Sequence, residues 1–71
     1  MQGYRKIVGK NGRNLREQLG ISQEELGFRS GLDRTYVSGV ERGVRKPTVV
    51  VLARLAAALD VQPSRLLAST N

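Results

Sequence analysis

Between Gln23 and Val40 the chain runs QEELGFRSGLDRTYVSGV, two short apolar-periodic segments on either side of a turn, and no other stretch limits the possible folds so tightly. On the first segment Leu26 and Ser30 lie four residues apart, with the small Gly27 beside them where another helix can cross closely. On the second, Leu32, Val37 and Val40 make an inward face, which leaves Arg34, Thr35, Tyr36, Ser38 and Gly39 for the outer faces. Ser30-Gly31-Leu32-Asp33 supplies a glycine able to take positive φ and then an aspartate suited to cap a new helix. Two helices joined in this way form a helix-turn-helix pattern.

The remaining segments are helical too. Val8, Leu15 and Leu19 are spaced like a helix face, so a first helix is expected over about 8–19, with Gly12 standing where a large apolar residue would complete the stripe and costing about 1 kcal/mol against alanine. Residues 1–9, interrupted by Gly3 and Gly9, are expected to be frayed. Gly20 ends the first helix, and Ser22-Gln23-Glu24-Glu25 fits the S-x-x-E capping box, which starts a second helix over Gln23 to Ser30. Asp33 caps a third, running to about Arg42 and stopped by Gly43. Thr48 caps a fourth whose stripe is Val49, Leu52, Leu55, Ala56 and Leu59; Asp60 closes it. Pro63, at a first-turn position, opens a short fifth helix to about Leu67, and Ala68 to Asn71 are expected to fray. The expected whole is one all-α domain over 1–71, ordered over about 8–67.

With 71 residues, the chain has a modest core that a second subunit can extend. Lys and Arg number 12 against 6 acids, a net charge of +6, and ten of those bases precede Pro47, so the basic face belongs to the first half. A polyanionic partner is one reading of that excess and a solvated surface the other. There is no cysteine and no histidine, which removes disulfides, zinc fingers, thiol nucleophiles and imidazole bases together; no enzyme, metal, cofactor or small-molecule ligand is expected. Near the N-terminus the longest apolar run is Ile7-Val8, too short for a signal peptide, and no window approaches a membrane span, so a cytoplasmic location is expected. Only Tyr4, Phe28 and Tyr36 are aromatic, too few for an RNA-stacking platform.

Leu15-Arg16-Glu17, Ile21 to Leu26, Ser30-Gly31-Leu32, Tyr36-Val37-Ser38, Glu41-Arg42-Gly43, Pro47, Leu52 and Ala56 to Leu59 together resemble the helix-turn-helix domain of the phage Cro and C1 repressors, the xenobiotic-response-element family. The likeness covers roughly 8–67. It implies a five-helix, lambda-repressor-like DNA-binding domain in which helices 2 and 3 are the helix-turn-helix. Within the family, Leu32 to Arg42 looks most like the recognition helix of restriction-modification controller proteins, small homodimeric transcription factors that bind palindromic operators. Similar helices occur in antitoxins, and a DNA-binding antitoxin acting through a protein partner is the alternative.

The resemblance implies roles by position. Gln23 resembles the glutamine that contacts a backbone phosphate and braces the start of the recognition helix. Arg34 and Thr35 occupy the outward N-terminal positions where base edges are reached, with Tyr36 and Ser38 as further base-contact candidates; Tyr36 can instead pack its ring on helix 2. Arg42, Arg45 and Lys46 follow the recognition helix as candidate phosphate contacts. Arg16 and Glu41 resemble a buried ion pair tying helix 1 to the end of helix 3. Gly39 departs from the pattern, standing where many members carry a long polar base-reader, and Gly12 replaces a core aliphatic. Finally, Val50, Val51, Leu66 and Leu67 fall outside the expected core stripe and are candidates for a homodimer interface, with ordinary surface valine as the alternative.

Overall fold

Three helices of this chain begin where a short polar side chain takes up an orphan backbone amide. The computed structural model describes residues 3–69, which form α1 (Gly3–Leu19), α2 (Gln23–Ser30), α3 (Arg34–Glu41), α4 (Val49–Ala58) and α5 (Pro63–Leu67). Ser22 Oγ accepts from the Glu25 amide at 3.0 Å, Asp33 Oδ2 from the Thr35 amide at 2.8 Å and Thr48 Oγ1 from the Val51 amide at 3.2 Å. The capping box at Ser22 closes on one side only. Glu25 turns its carboxylate to Arg29, whose Nε donates at 2.8 Å, an i,i+4 pair along the exposed side of α2.

Between α2 and α3 the chain turns on Gly31, at φ 73 and ψ 25. Its amide and that of Leu32 both return to the end of α2, Leu32 donating to the Gly27 carbonyl at 2.9 Å. The turn can lie this close because residue 27 has no side chain: a Cβ there would stand 2.6 Å from the Leu32 carbonyl oxygen. The expected close crossing beside Leu26 is therefore made by the turn itself.

Val8, Leu15, Leu26, Val37, Val40, Leu55, Ala56, Leu59 and Leu66 form the core, so every helix contributes. Leu26, Leu66, Val8 and Val37 are wholly enclosed, each stabilising the fold by about 1.5–3 kcal/mol through removal of apolar surface from water.

Five expectations are corrected. The start of the chain is helical from Gly3 rather than frayed to residue 9, because tertiary contacts outweigh the low propensity of its glycines: Tyr4 Oη donates to the Pro47 carbonyl at 3.1 Å. Leu19, expected on the inner stripe of α1, is exposed. In α4 the inward phase is shifted, so that Val49 is 82% exposed while Val51 packs partly against the core. Leu66, expected at a dimer interface, is 0% exposed and belongs to the core, where α5 closes over α1. Near the other end, Asn11 Nδ2 donates to the carbonyls of Leu66 at 2.9 Å and Ala68 at 2.8 Å, holding the first part of a segment expected to fray; residues 1, 2, 70 and 71, also expected to fray, lie outside the described residues.

Candidate nucleic-acid interface

At about 100° per residue, α3 turns Val37 and Val40 into the core and directs Arg34, Thr35 and Ser38 outward. Arg34 and Thr35 are exposed at its first turn; Ser38, one turn further on, is half-buried. Gln23, at the first position of α2, joins these three around a shallow groove of about 170 Å³. Four residues expected to meet DNA thus share one surface, with Arg34 able to present a guanidinium fork and the other three able to donate or accept single hydrogen bonds.

Behind this surface lies a hydrogen-bonded junction of three helices. Glu41, at the end of α3, accepts from Arg16 Nε at 2.7 Å and Nη2 at 3.1 Å through its two carboxylate oxygens, and from Gln23 Nε2 at 3.0 Å. Arg16 Nη1 donates to the Ile21 carbonyl at 2.8 Å, in the link between α1 and α2. The pair is nearly buried, with side-chain exposures of 12% for Arg16 and 4% for Glu41, and the hydrogen bond to Glu41 is the main reason the Arg16 pKa is raised above the usual arginine range. Gln23 is consequently tied to the far end of α3, not braced against its start. One of its two amide hydrogens is used by Glu41, and the other is left for an acceptor in front of the protein.

The end of α3 is gripped from the other side as well. A Cβ on Gly9 would stand 2.4 Å from the Val40 carbonyl oxygen and 2.7 Å from that of Glu41, so only a glycine allows α1 to approach this closely. The chain then folds back: the amides of Val44 and Arg45 both donate to the Gly39 carbonyl, at 3.0 and 3.1 Å. That return lays the Arg45 side chain along α3, with its guanidinium carbon 5.8 Å from the centre of the Tyr36 ring. A Cβ on Gly39 would stand 2.4 Å from Arg45 Cγ. The space that Gly39 leaves is therefore filled by an arginine delivered from the following turn. Tyr36 is half-buried, packing against the core on one side and carrying Arg45 on the other. Arg42 and Lys46 are exposed on either side of this return.

Residues 13–66 match the family model described as Helix-turn-helix. The chain belongs to the Cro/C1-type helix-turn-helix family. It is 46% identical over 67 residues to the uncharacterized HTH-type transcriptional regulator y4dJ of Sinorhizobium fredii, a match covering 94% of this chain and 87% of that protein. It is 39% identical to the control protein C.BamHI of Bacillus amyloliquefaciens, over 94% of this chain and 84% of the relative. Among solved structures, the restriction-modification controller protein C.AhdI of Aeromonas hydrophila superposes with a TM-score of 0.85 at 50% identity, covering 87% of this chain and 94% of that one. The protein is a DNA-binding helix-turn-helix transcriptional regulator, and its relatives are regulators rather than enzymes.

In this regulator the sequence pointed to the outer residues of α3, to Gln23 and to the Arg16–Glu41 pair. It missed the placement of Arg45, which depends on how the turn after α3 doubles back, and the part α1 plays in holding that turn. The Gly39-to-Arg45 spacing carries no recognisable signature of its own.

Proposed function

We propose that this regulator is a sequence-specific transcription factor of the restriction-modification controller type, binding a palindromic operator as a homodimer with α3 of each subunit in the major groove. The observation that carries the reading is the convergence of Gln23, Arg34, Thr35 and Ser38 on one outward surface, with Arg42, Arg45 and Lys46 beside it. Arg34 is the principal base-reader, its fork suited to O6 and N7 of guanine. Thr35 offers its methyl to thymine or its hydroxyl to a phosphate, and Ser38 and Tyr36 contact the neighbouring edge. Gln23 donates its remaining amide hydrogen to a phosphate, and Arg42, Arg45 and Lys46 neutralise further phosphates. Similarity to the control protein C.BamHI and the controller protein C.AhdI supports the controller assignment.

Apolar residues that α4 and α5 leave uncovered support the dimer reading. Val49 and Val50 at the start of α4 and Leu67 at the end of α5 are 82, 61 and 47% exposed, aliphatic surface that a second copy could cover. A two-fold pairing through them would present two copies of α3 to half-sites about one helical turn apart. Selection of bound duplexes from a random pool tests the proposal: a recovered palindrome supports it, whereas recovery without a consensus, or of a single unrepeated half-site, contradicts it.

A further inference from the structure

A second groove, larger than the one in front of Arg34, lies between α1 and the end of α3. It encloses about 500 Å³ and takes Lys6, Lys10, Arg13 and Glu17 from one face of α1 and Glu41 and Arg42 from the other wall. On α1 these positions are spaced 6, 10, 13 and 17, so their side chains rise in a row. Both acids are already engaged. Glu17 accepts from Arg13 Nε at 3.3 Å, and Glu41 is occupied by Arg16 and Gln23. Lys6, Lys10 and Arg42 are exposed and have no carboxylate partner among the described residues.

Packing against the turn after α3 places the first of these cations. A Cβ on Gly43 would lie 3.3 Å from Lys6 Cγ, so the Lys6 stem rests on the turn that ends α3. Arg42 keeps right-handed helical angles, φ −81 and ψ −5, and therefore continues the outward edge defined by Arg34 and Ser38 at four-residue intervals. From Arg34 to Arg42 is about 12 Å along the helix axis, the axial rise of three to four phosphates on one strand. Three uncompensated like charges repel one another and favour an anion that runs past all of them.

We propose that this groove is a phosphate track, in which Lys6 and Lys10 of α1 continue the DNA backbone contacts of Arg42 beyond the helix-turn-helix. The inference rests on the DNA-binding reading but not on operator specificity, because backbone neutralisation is independent of base sequence. The test compares the wild-type chain, Lys6→Gln/Lys10→Gln and, as a control with the same net charge, Arg54→Gln/Arg65→Gln on a mixed-sequence duplex of about thirty base pairs, across salt concentrations. The slope of log K against log salt should fall in magnitude by about 2 per bound subunit in the groove variant, so that the affinity lost between 50 and 200 mM salt shrinks by about tenfold per subunit, while the control keeps the wild-type slope. Equal slopes in both variants would make the groove a solvated face or the seat of an acidic protein segment and would overturn the inference. Absence of salt-dependent binding by the wild-type chain would instead remove the DNA-binding reading on which it stands.

Discussion

Gly9 and Gly12 lie three residues apart on α1, and the space around them differs. A methyl group at position 12 would meet only Leu66 Cδ2 at 3.8 Å, an ordinary contact, whereas at position 9 it would press on two backbone oxygens of α3. Gly12→Ala should therefore stabilise the protein by about 0.5–1 kcal/mol through helix propensity, and Gly9→Ala should destabilise it by about 1–3 kcal/mol; urea midpoints with an unchanged m-value would check both. Gly39 is a third case, because its missing side chain is replaced in space by Arg45. Gly39→Ala should displace that arginine and weaken DNA binding about as much as Arg45→Ala does. In a double-mutant cycle the two losses should not add, since each removes the same placed guanidinium. Full additivity would mean that Arg45 acts independently of its bed on α3.

At the scale of the helix, α1 works as a brace for α3. Arg16 holds Glu41, Gly9 admits the end of α3, and Tyr4 fastens the chain at Pro47. Glu41→Ala should cost about 3 kcal/mol or more, because it strands a mostly buried guanidinium and releases Gln23; thermal unfolding of the variant measures the loss. Since the raised pKa of Arg16 lies in strong alkali, the arginine's share of this stabilisation is complete below that range and fades only as pH rises through it, so the arginine side introduces no pH dependence near neutrality. The limits of α2 and α4 were legible in sequence because Ser22, Gly31 and Thr48 act locally on the backbone. The start of α1 was not, since Gly3 and Gly9 argue against helix and what sustains it is a partner more than thirty residues away. Leu66 and Leu67 could not be told apart either: a five-residue helix is too short for its periodicity to show which of two adjacent leucines turns inward.

For the whole molecule, the proposal assigns DNA contact to the basic first half and self-association to the aliphatic side chains that α4 and α5 expose. The candidate DNA surface was largely legible because its residues cluster around one turn; the candidate dimer surface was legible only in part, with Val49 taking the place expected for Val51. Val50→Glu, at a position exposed in the single chain, should leave helicity by circular dichroism unchanged, shift sedimentation to that of a monomer and weaken operator binding. The most direct measurement of the central claim is the affinity of wild type and Arg34→Ala for the selected operator and for a scrambled duplex of equal length at the same salt. Arg34→Ala should lose about 1–3 kcal/mol on the operator and much less on the scrambled duplex, narrowing the ratio between them. An unchanged ratio would contradict the assignment of base reading to the outer face of α3.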